Sequence, residues 1–177
     1  ILNGTTLTLT GVGEVILRAA QPGTTQYHPA TEVERRFIVR SDVVVVGTTS
    51  TQANGLFKAG ATLPLQLVFS SPVVVTGAPT LALNAAANRL AVYAGGSGSA
   101  VLTFNYQVQA GDNVMKLDFL SSEALSGAGG TIRGASGANV VFTLALPGAS
   151  GSLAAAKNFR IDTLAPVLLR MESTTAS

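Results

Sequence analysis

From Leu102 to Ala110 the chain alternates without a fault. Leu102, Phe104, Tyr106, Val108 and Ala110 are apolar, and Thr103, Asn105, Gln107 and Gln109 between them are polar. Successive strand side chains point to opposite faces, so this pattern predicts a strand with one face on a core and one in water. Ala110-Gly111-Asp112-Asn113 supplies turn chemistry, since Gly, Asp and Asn tolerate tight-turn backbone angles. Val114 to Leu120 is then expected to run back as the second strand of a hairpin, with Met115, Leu117 and Phe119 as its apolar face. Leu63, Leu65, Leu67 and Phe69 alternate in the same way, and Pro64 on the opposite face points to a sheet edge or a strand start. A two-faced hairpin needs a second sheet over its apolar side. Two antiparallel sheets are therefore expected between residues 43 and 166, with the apolar sets of these segments facing inward.

The rest of the chain reads as short strands between turns. Thr6 to Thr10 alternates, Val15-Ile16-Leu17 is a short apolar run, Gln21-Pro22-Gly23 turns, and Glu34 to Val39 closes a first block. Three short strands in forty residues are too few to close a sandwich. After the polar junction Arg40-Ser41-Asp42, the valine run Val43 to Val46 suits a buried strand. Ser71-Pro72 is expected to break the chain between Phe69 and Val73. Thr80 to Asn84, Leu90 to Tyr93, Thr131 to Arg133, Val140 to Leu146 and Asn158 to Ile161 follow as strands. Only Ser121 to Leu125 and Leu153 to Lys157 suggest a single helical turn. Gly95-Gly96-Ser97-Gly98-Ser99 is read as a hairpin tip. A phosphate-binding glycine loop needs a following helix and a Lys-Ser/Thr pair, and neither is present.

Composition narrows the class. Only 11% of residues are charged and 47% are hydrophobic, with aromatics at 6% and 19 glycines; that mixture fits many short strands better than long helices. A net charge of +2, with Arg35, Arg36 and Arg40 beside Glu32 and Glu34, gives no one-sided basic stripe for nucleic acid. Cysteine is absent, which leaves no disulfide framework, thiol chemistry or cysteine zinc site. No run approaches eighteen apolar residues, so no membrane-spanning helix is expected. The chain begins at Ile1, as expected of a piece of a longer protein whose signal peptide would lie in the missing part.

The first block, through GVGEVILRAAQPGTTQYHPA (Gly11 to Ala30) and VERRFIV (Val33 to Val39), resembles the C-terminal half of a bacterial Ig-like repeat. The second resembles a long Ig-like repeat of very large bacterial cell-surface, adhesin-type proteins over residues 44–166. The elements that carry this likeness are NGLFKAG (Asn54 to Gly60), LVFSSPVVVTGAPTLALN (Leu67 to Asn84), YAGGSGSAVLTFNYQVQAGDN (Tyr93 to Asn113), LDF (Leu117 to Phe119), GGTIRGASGAN (Gly129 to Asn139) and IDTLAP (Ile161 to Pro166). The resemblance implies a β-sandwich serving as a spacer or adhesive module in an extracellular array. The chain departs from the family pattern where an Asp usually stands before the Ala-rich turn. That position is Gly134, and Ala138 replaces a later Asn. If the family uses the Asp for calcium, the ligand is missing here. The tail VLLRMESTTAS (Val167 to Ser177) matches Val44 to Asn54 at Val44/Val167, Ser50/Ser173, Thr51/Thr174 and Ala53/Ala176, an offset of 123 residues. A fixed period of this kind points to a quasi-linear array.

Catalytic chemistry finds little support. The one histidine, His28, lies in a turn-like Gln26-Tyr27-His28-Pro29 context, and no Gly-x-Ser-x-Gly elbow accompanies it. The nine acidic residues are scattered, without the opposed carboxylate pair of a glycosidase. No catalytic residue, no cofactor and no resident metal are expected. Were calcium held, its candidate ligands would be Asp112, Asp118 and Asp162, although Asp118 reads first as a solvated side chain on the polar face of its strand. Asn3-Gly4-Thr5 is the one N-x-Ser/Thr sequon, and Asn3 would carry glycan only in a compartment that glycosylates this motif.

The expectation is thus an all-β chain of tandem Ig-like antiparallel β-sandwich modules. Residues 1–41 are the C-terminal half of one module, 42–166 a complete module, and 167–177 the first strand of a third. The function expected is that of a non-enzymatic structural segment of an extracellular, cell-surface protein, building a filament, layer or stalk. Its partners would be neighbouring modules and other copies or chains, with neither nucleic acid nor membrane insertion. Two alternatives are an adhesin stalk with ligand binding elsewhere, and an accessory carbohydrate-binding module of a secreted enzyme. The second is disfavoured by the absence of Trp and the presence of only three Tyr.

Overall fold

The computed structural model describes residues 2, 3, 5–9 and 11–165; the tail Val167 to Ser177, expected to open a third module, lies outside them. The fold is all-β, in two compact units that divide between Asp42 and Val43.

In the first unit, β1 (Leu2–Asn3) pairs with β2 (Thr6–Leu7), and β3 (Gly13–Ala19) pairs antiparallel with β4 (Val33–Val39) over seven residues. The register sets Val15 opposite Phe37, Leu17 opposite Arg35 and Ala19 opposite Val33. Residues directly opposite share a face, so the hairpin has one apolar face carrying a single Arg. The other face holds Glu14, Arg18, Glu34 and Arg36 with Ile16 and Ile38. Arg18 pairs with Glu34 at 2.9 Å, and Arg36 pairs with Glu34 at 2.6 Å and Glu14 at 3.5 Å. None of the described side chains of this unit is fully buried.

The second unit contains β5 (Val43–Ser50), β6 (Gly55–Phe57), β7 (Thr62–Thr76), β8 (Thr80–Leu83), β9 (Arg89–Gly95), β10 (Ser99–Gln107), β11 (Asn113–Val114), β12 (Leu125–Ser126), β13 (Thr131–Gly134), β14 (Val140–Val141), α1 (Leu153–Ala156) and β15 (Phe159–Asp162). A large curled sheet runs in the order β12-β8-β9-β10-β7-β5-β14, with β13 on the second half of β7, and a small sheet runs β11-β15-β6. Leu63, Leu65, Leu67, Phe69, Leu102, Phe104, Tyr106, Leu117 and Phe119 are all buried, as their alternation predicts. Burying each such side chain stabilises the fold by about 1.5–3 kcal/mol, and Phe57 and Tyr93 add edge-on ring contacts to Phe159 and Phe104.

Four expectations need correction. Pairing is not antiparallel throughout, because β14 runs parallel to β5 and β15 parallel to β6. Ser71-Pro72 does not end a strand. β7 continues through it, and the disturbance is a bulge: its register against β10 jumps from Val68↔Val101 to Val73↔Ser99. Val114 to Leu120 does not return along β10. That strand pairs with β7 and β9, while β11 has only two residues and Met115 is 67% exposed. The segment crosses to other neighbours instead: Leu117 N–H donates to the Phe159 carbonyl at 2.8 Å and Leu120 N–H to the Ala82 carbonyl at 3.0 Å. Likewise Val140 to Leu146 leaves its sheet after Val141, and Leu144 N–H reaches the Ser122 carbonyl at 2.8 Å.

The glycine-rich tip joins β9 to β10, where Gly96 has φ +104 and a Cβ on it would lie 2.1 Å from the Val101 carbonyl oxygen. The tip is pinned rather than loose. Ser97 N–H donates to the Tyr93 hydroxyl at 3.0 Å, Ser97 Oγ accepts from Val75 N–H at 3.0 Å, and Gly98 N–H donates to the Val73 carbonyl at 2.7 Å.

Candidate functional site

The most densely bonded polar centre lies where β10 ends. Tyr106 points into the core on the apolar phase of β10, so its hydroxyl needs an internal partner. The loop Val108 to Asp112 supplies one by folding back on the strand. Asp112, wholly buried, accepts from the Tyr106 hydroxyl through Oδ2, from the Gln109 amide at 2.7 Å, and from Arg89 Nε of β9 through Oδ1. The Asp112 carbonyl accepts from the Thr163 hydroxyl at 2.8 Å, and that same hydroxyl accepts from Gly111 N–H at 2.9 Å. The loop is thereby tied to β9, β10 and the chain just past β15.

Burial alone would raise the pKa of the Asp112 carboxyl. The Tyr106 hydroxyl, the Gln109 amide and the Arg89 guanidinium outweigh it and hold the carboxyl below its usual range. Burial pushes the Tyr106 hydroxyl well above its ordinary value, the hydrogen bond and charge of Asp112 push it further, and Arg89 pulls it partly back. At neutral pH the carboxylate is held charged and the phenol neutral. The arrangement is a clasp.

Asp118 forms a second clasp, which corrects the expectation of a solvated side chain: it is 2% exposed. Its Oδ1 accepts from Phe119 N–H at 2.9 Å and Leu153 N–H at 3.1 Å, and its Oδ2 from Gly148 N–H at 2.7 Å. Leu153 begins α1, whose N-cap Ser152 accepts from Ala155 N–H. The carboxylate thus satisfies a helix-start donor that otherwise has no partner within the helix. Asn84 Oδ1 accepts from Asp118 N–H at 2.9 Å and orients the segment that carries it.

The structure does not bring the three calcium candidates together. The carboxylate of Asp112 turns inward and that of Asp118 is enclosed by backbone amides. Asp162, beside Asn113 in the β11–β15 ladder, accepts from Leu164 N–H at 3.2 Å and lies 3.9 Å from Arg160. Among the described residues no three His, Asp or Glu side chains gather closely enough to share a metal ion. Gly134 pairs with Val73, and a Cβ there would press on Ala138 and Val43 at 3.1 Å. His28 is exposed, Asn3 stands in β1, and among the described residues no helix is long and apolar enough to cross a membrane.

A groove of about 550 Å³ is open to solvent along the small sheet and is lined by Asn113, Val114, Met115, Arg160, Asp162 and Leu164, with Ala165 at its end. It holds one loose ion pair and no hydroxyl, thiol or imidazole. A surface feature is more prominent. β5, β7, β8 and β10 contain no charged side chain, and the one in β9, Arg89, is turned onto Asp112. The register aligns Thr80, Val92, Asn105 and Pro64 across four strands, with Ala82 and Leu90 in the next row. Leu90 and Val92 are each 48% exposed.

Sequence reasoning did not find Arg89 or Tyr106 as partners of Asp112. The signal was present, since an inward Tyr on a strand obliges a buried acceptor, and Asp112 is the next acid along the chain. No model of a known protein family matches the chain, and neither curated proteins nor solved structures show a match to it.

Proposed function

We propose that the chain is a non-enzymatic structural segment, without a cofactor, of a large extracellular protein built from tandem Ig-like β-sandwich modules. It builds a surface filament, layer or stalk by packing against other copies or chains. The observation that carries this reading is the charge-free outer face spanning β8, β9, β10 and β7, with half-exposed Leu90 and Val92 at its centre. A face that stays in water is normally studded with charge. Depletion of charge around exposed apolar side chains is instead the mark of an interface core. The overall charged fraction of 11%, against about 25% in ordinary soluble domains, points the same way. The two buried carboxylate clasps serve this role by stiffening the module.

The test is sedimentation velocity of the 177-residue chain over a hundredfold concentration range, beside a Val92→Lys variant. Assemblies larger than a dimer should grow with concentration and be lost in the variant. Identical profiles without such assemblies, at the highest concentration, would overturn this reading and favour the adhesin-stalk alternative.

A further inference from the structure

We infer that β3 is a docking edge for a second copy of this chain, pairing antiparallel with itself about a two-fold axis at Ile16. Among the described residues β3 has one sheet partner, β4, so its other edge presents unpaired backbone donors and acceptors. The strand Gly13-Glu14-Val15-Ile16-Leu17-Arg18-Ala19 is chemically self-complementary about its centre. A two-fold axis at Ile16 sets Glu14 against Arg18 of the second copy, Val15 against Leu17, and Ile16 against Ile16. Every off-axis pair then occurs twice, as an isologous contact requires.

The charges already on this face extend across the seam. Arg18 is bonded to Glu34 at 2.9 Å on one side and would meet Glu14 of the second copy on the other. That Glu14 is the group that faces Arg36 within its own hairpin. The result is an alternating ladder of acid and base across four strands. β4 offers no such match. A two-fold axis at Arg35 or at Arg36, the centre of Val33–Val39, sets Arg against Arg, and like charges directly opposite destabilise a sheet. Pairing through β3 also turns a two-stranded ribbon into a four-stranded sheet with one continuous apolar face, past the three strands at which such a sheet stands on its own. The pairing is independent of the charge-free face of the second unit.

The chain contains no cysteine, so disulfide trapping reads the contact directly. Ile16→Cys in the full chain should give a covalent dimer under mild oxidation, because opposed antiparallel residues lie about 4.5–5.5 Å apart at Cα, within disulfide reach. Ile38→Cys, equally a surface site on the same face, should remain monomeric on the same gel, since it lies opposite Glu14 and its two copies would stand three strand spacings apart across the sheet and four residues apart along it, about 20 Å. Glu14→Arg should weaken the dimer about tenfold in sedimentation equilibrium. Equal trapping at both cysteine positions, no trapping at Ile16→Cys, or an unchanged dimer in Glu14→Arg would overturn the proposal. Loss of the larger assemblies in Val92→Lys with the Ile16→Cys dimer retained would separate this contact from the sheet packing.

Discussion

The two units are written in the same alternating pattern and end in opposite states. In the second, the apolar phases of β7 and β10 lie against one another and against Leu117, Phe119 and Phe159, and every one of these side chains is buried. In the first, the apolar phase of the β3–β4 hairpin has Phe37 at 36% and Val33 at 49% exposure. Charge is divided in the opposite sense. Eight of the twenty charged residues fall in the first 42 positions, on the hairpin and beside it, whereas β5, β7, β8 and β10 of the second unit carry none. The comparison teaches that alternation specifies a strand and its inward phase, while a core needs a second layer. Where the layer is present, ionic groups become buried clasps such as Asp112. Where it is absent, they remain exposed pairs.

The sharpest way to break this contrast is to truncate one aromatic from each unit. Phe104→Ala should cost about 3–5 kcal/mol in urea unfolding, whereas Phe37→Ala should cost less than about 1 kcal/mol. A cost at Phe37 equal to that at Phe104 would mean that the hairpin's apolar face is covered in solution.

The clasp gives the second-largest effect and a pH signature. Asp112 titrates lower folded than unfolded, so its contribution is full above the unfolded value of about 4 and is lost as pH falls through the folded one. Tyr106 titrates higher folded than unfolded, so its contribution is full below about pH 10 and is lost as pH rises through the folded value. Tyr106→Phe should therefore cost about 1.5–3 kcal/mol at neutral pH, the value of a hydrogen bond to a charged group. It should also flatten the alkaline fall of the urea midpoint. An alkaline fall as steep as that of the parent chain would dissociate Tyr106 from the clasp.

The smallest effect belongs to the ion pairs of the first unit. Glu34→Ala removes partners of both Arg18 and Arg36, yet these exposed pairs should contribute less than about 1 kcal/mol, and less still at high salt. A larger loss, insensitive to salt, would show that this charged face is not in water.

From the sequence alone, the all-β class and the inward phase of β7 and β10 could be read, because side-chain direction alternates with every residue and burial selects one phase. The turn chemistry of Gly95 to Ser99, the short helical turn at Leu153 and the lack of charge on the main strands were equally local facts. Tertiary structure decided which strands pair. Ala110 to Asn113 looked like a hairpin turn, but the inward Tyr106 draws Asp112 into the core, and the chain leaves β10 instead of returning along it. Ser71-Pro72 became a bulge because β10 and β13 pair with β7 on either side of the interruption. Asp118 lay on the polar phase of its segment and still became buried, since Gly148 and Leu153, some thirty residues away in sequence, bring amides to it. Such contacts depend on which distant backbone donors converge, and neither periodicity nor composition carries that information.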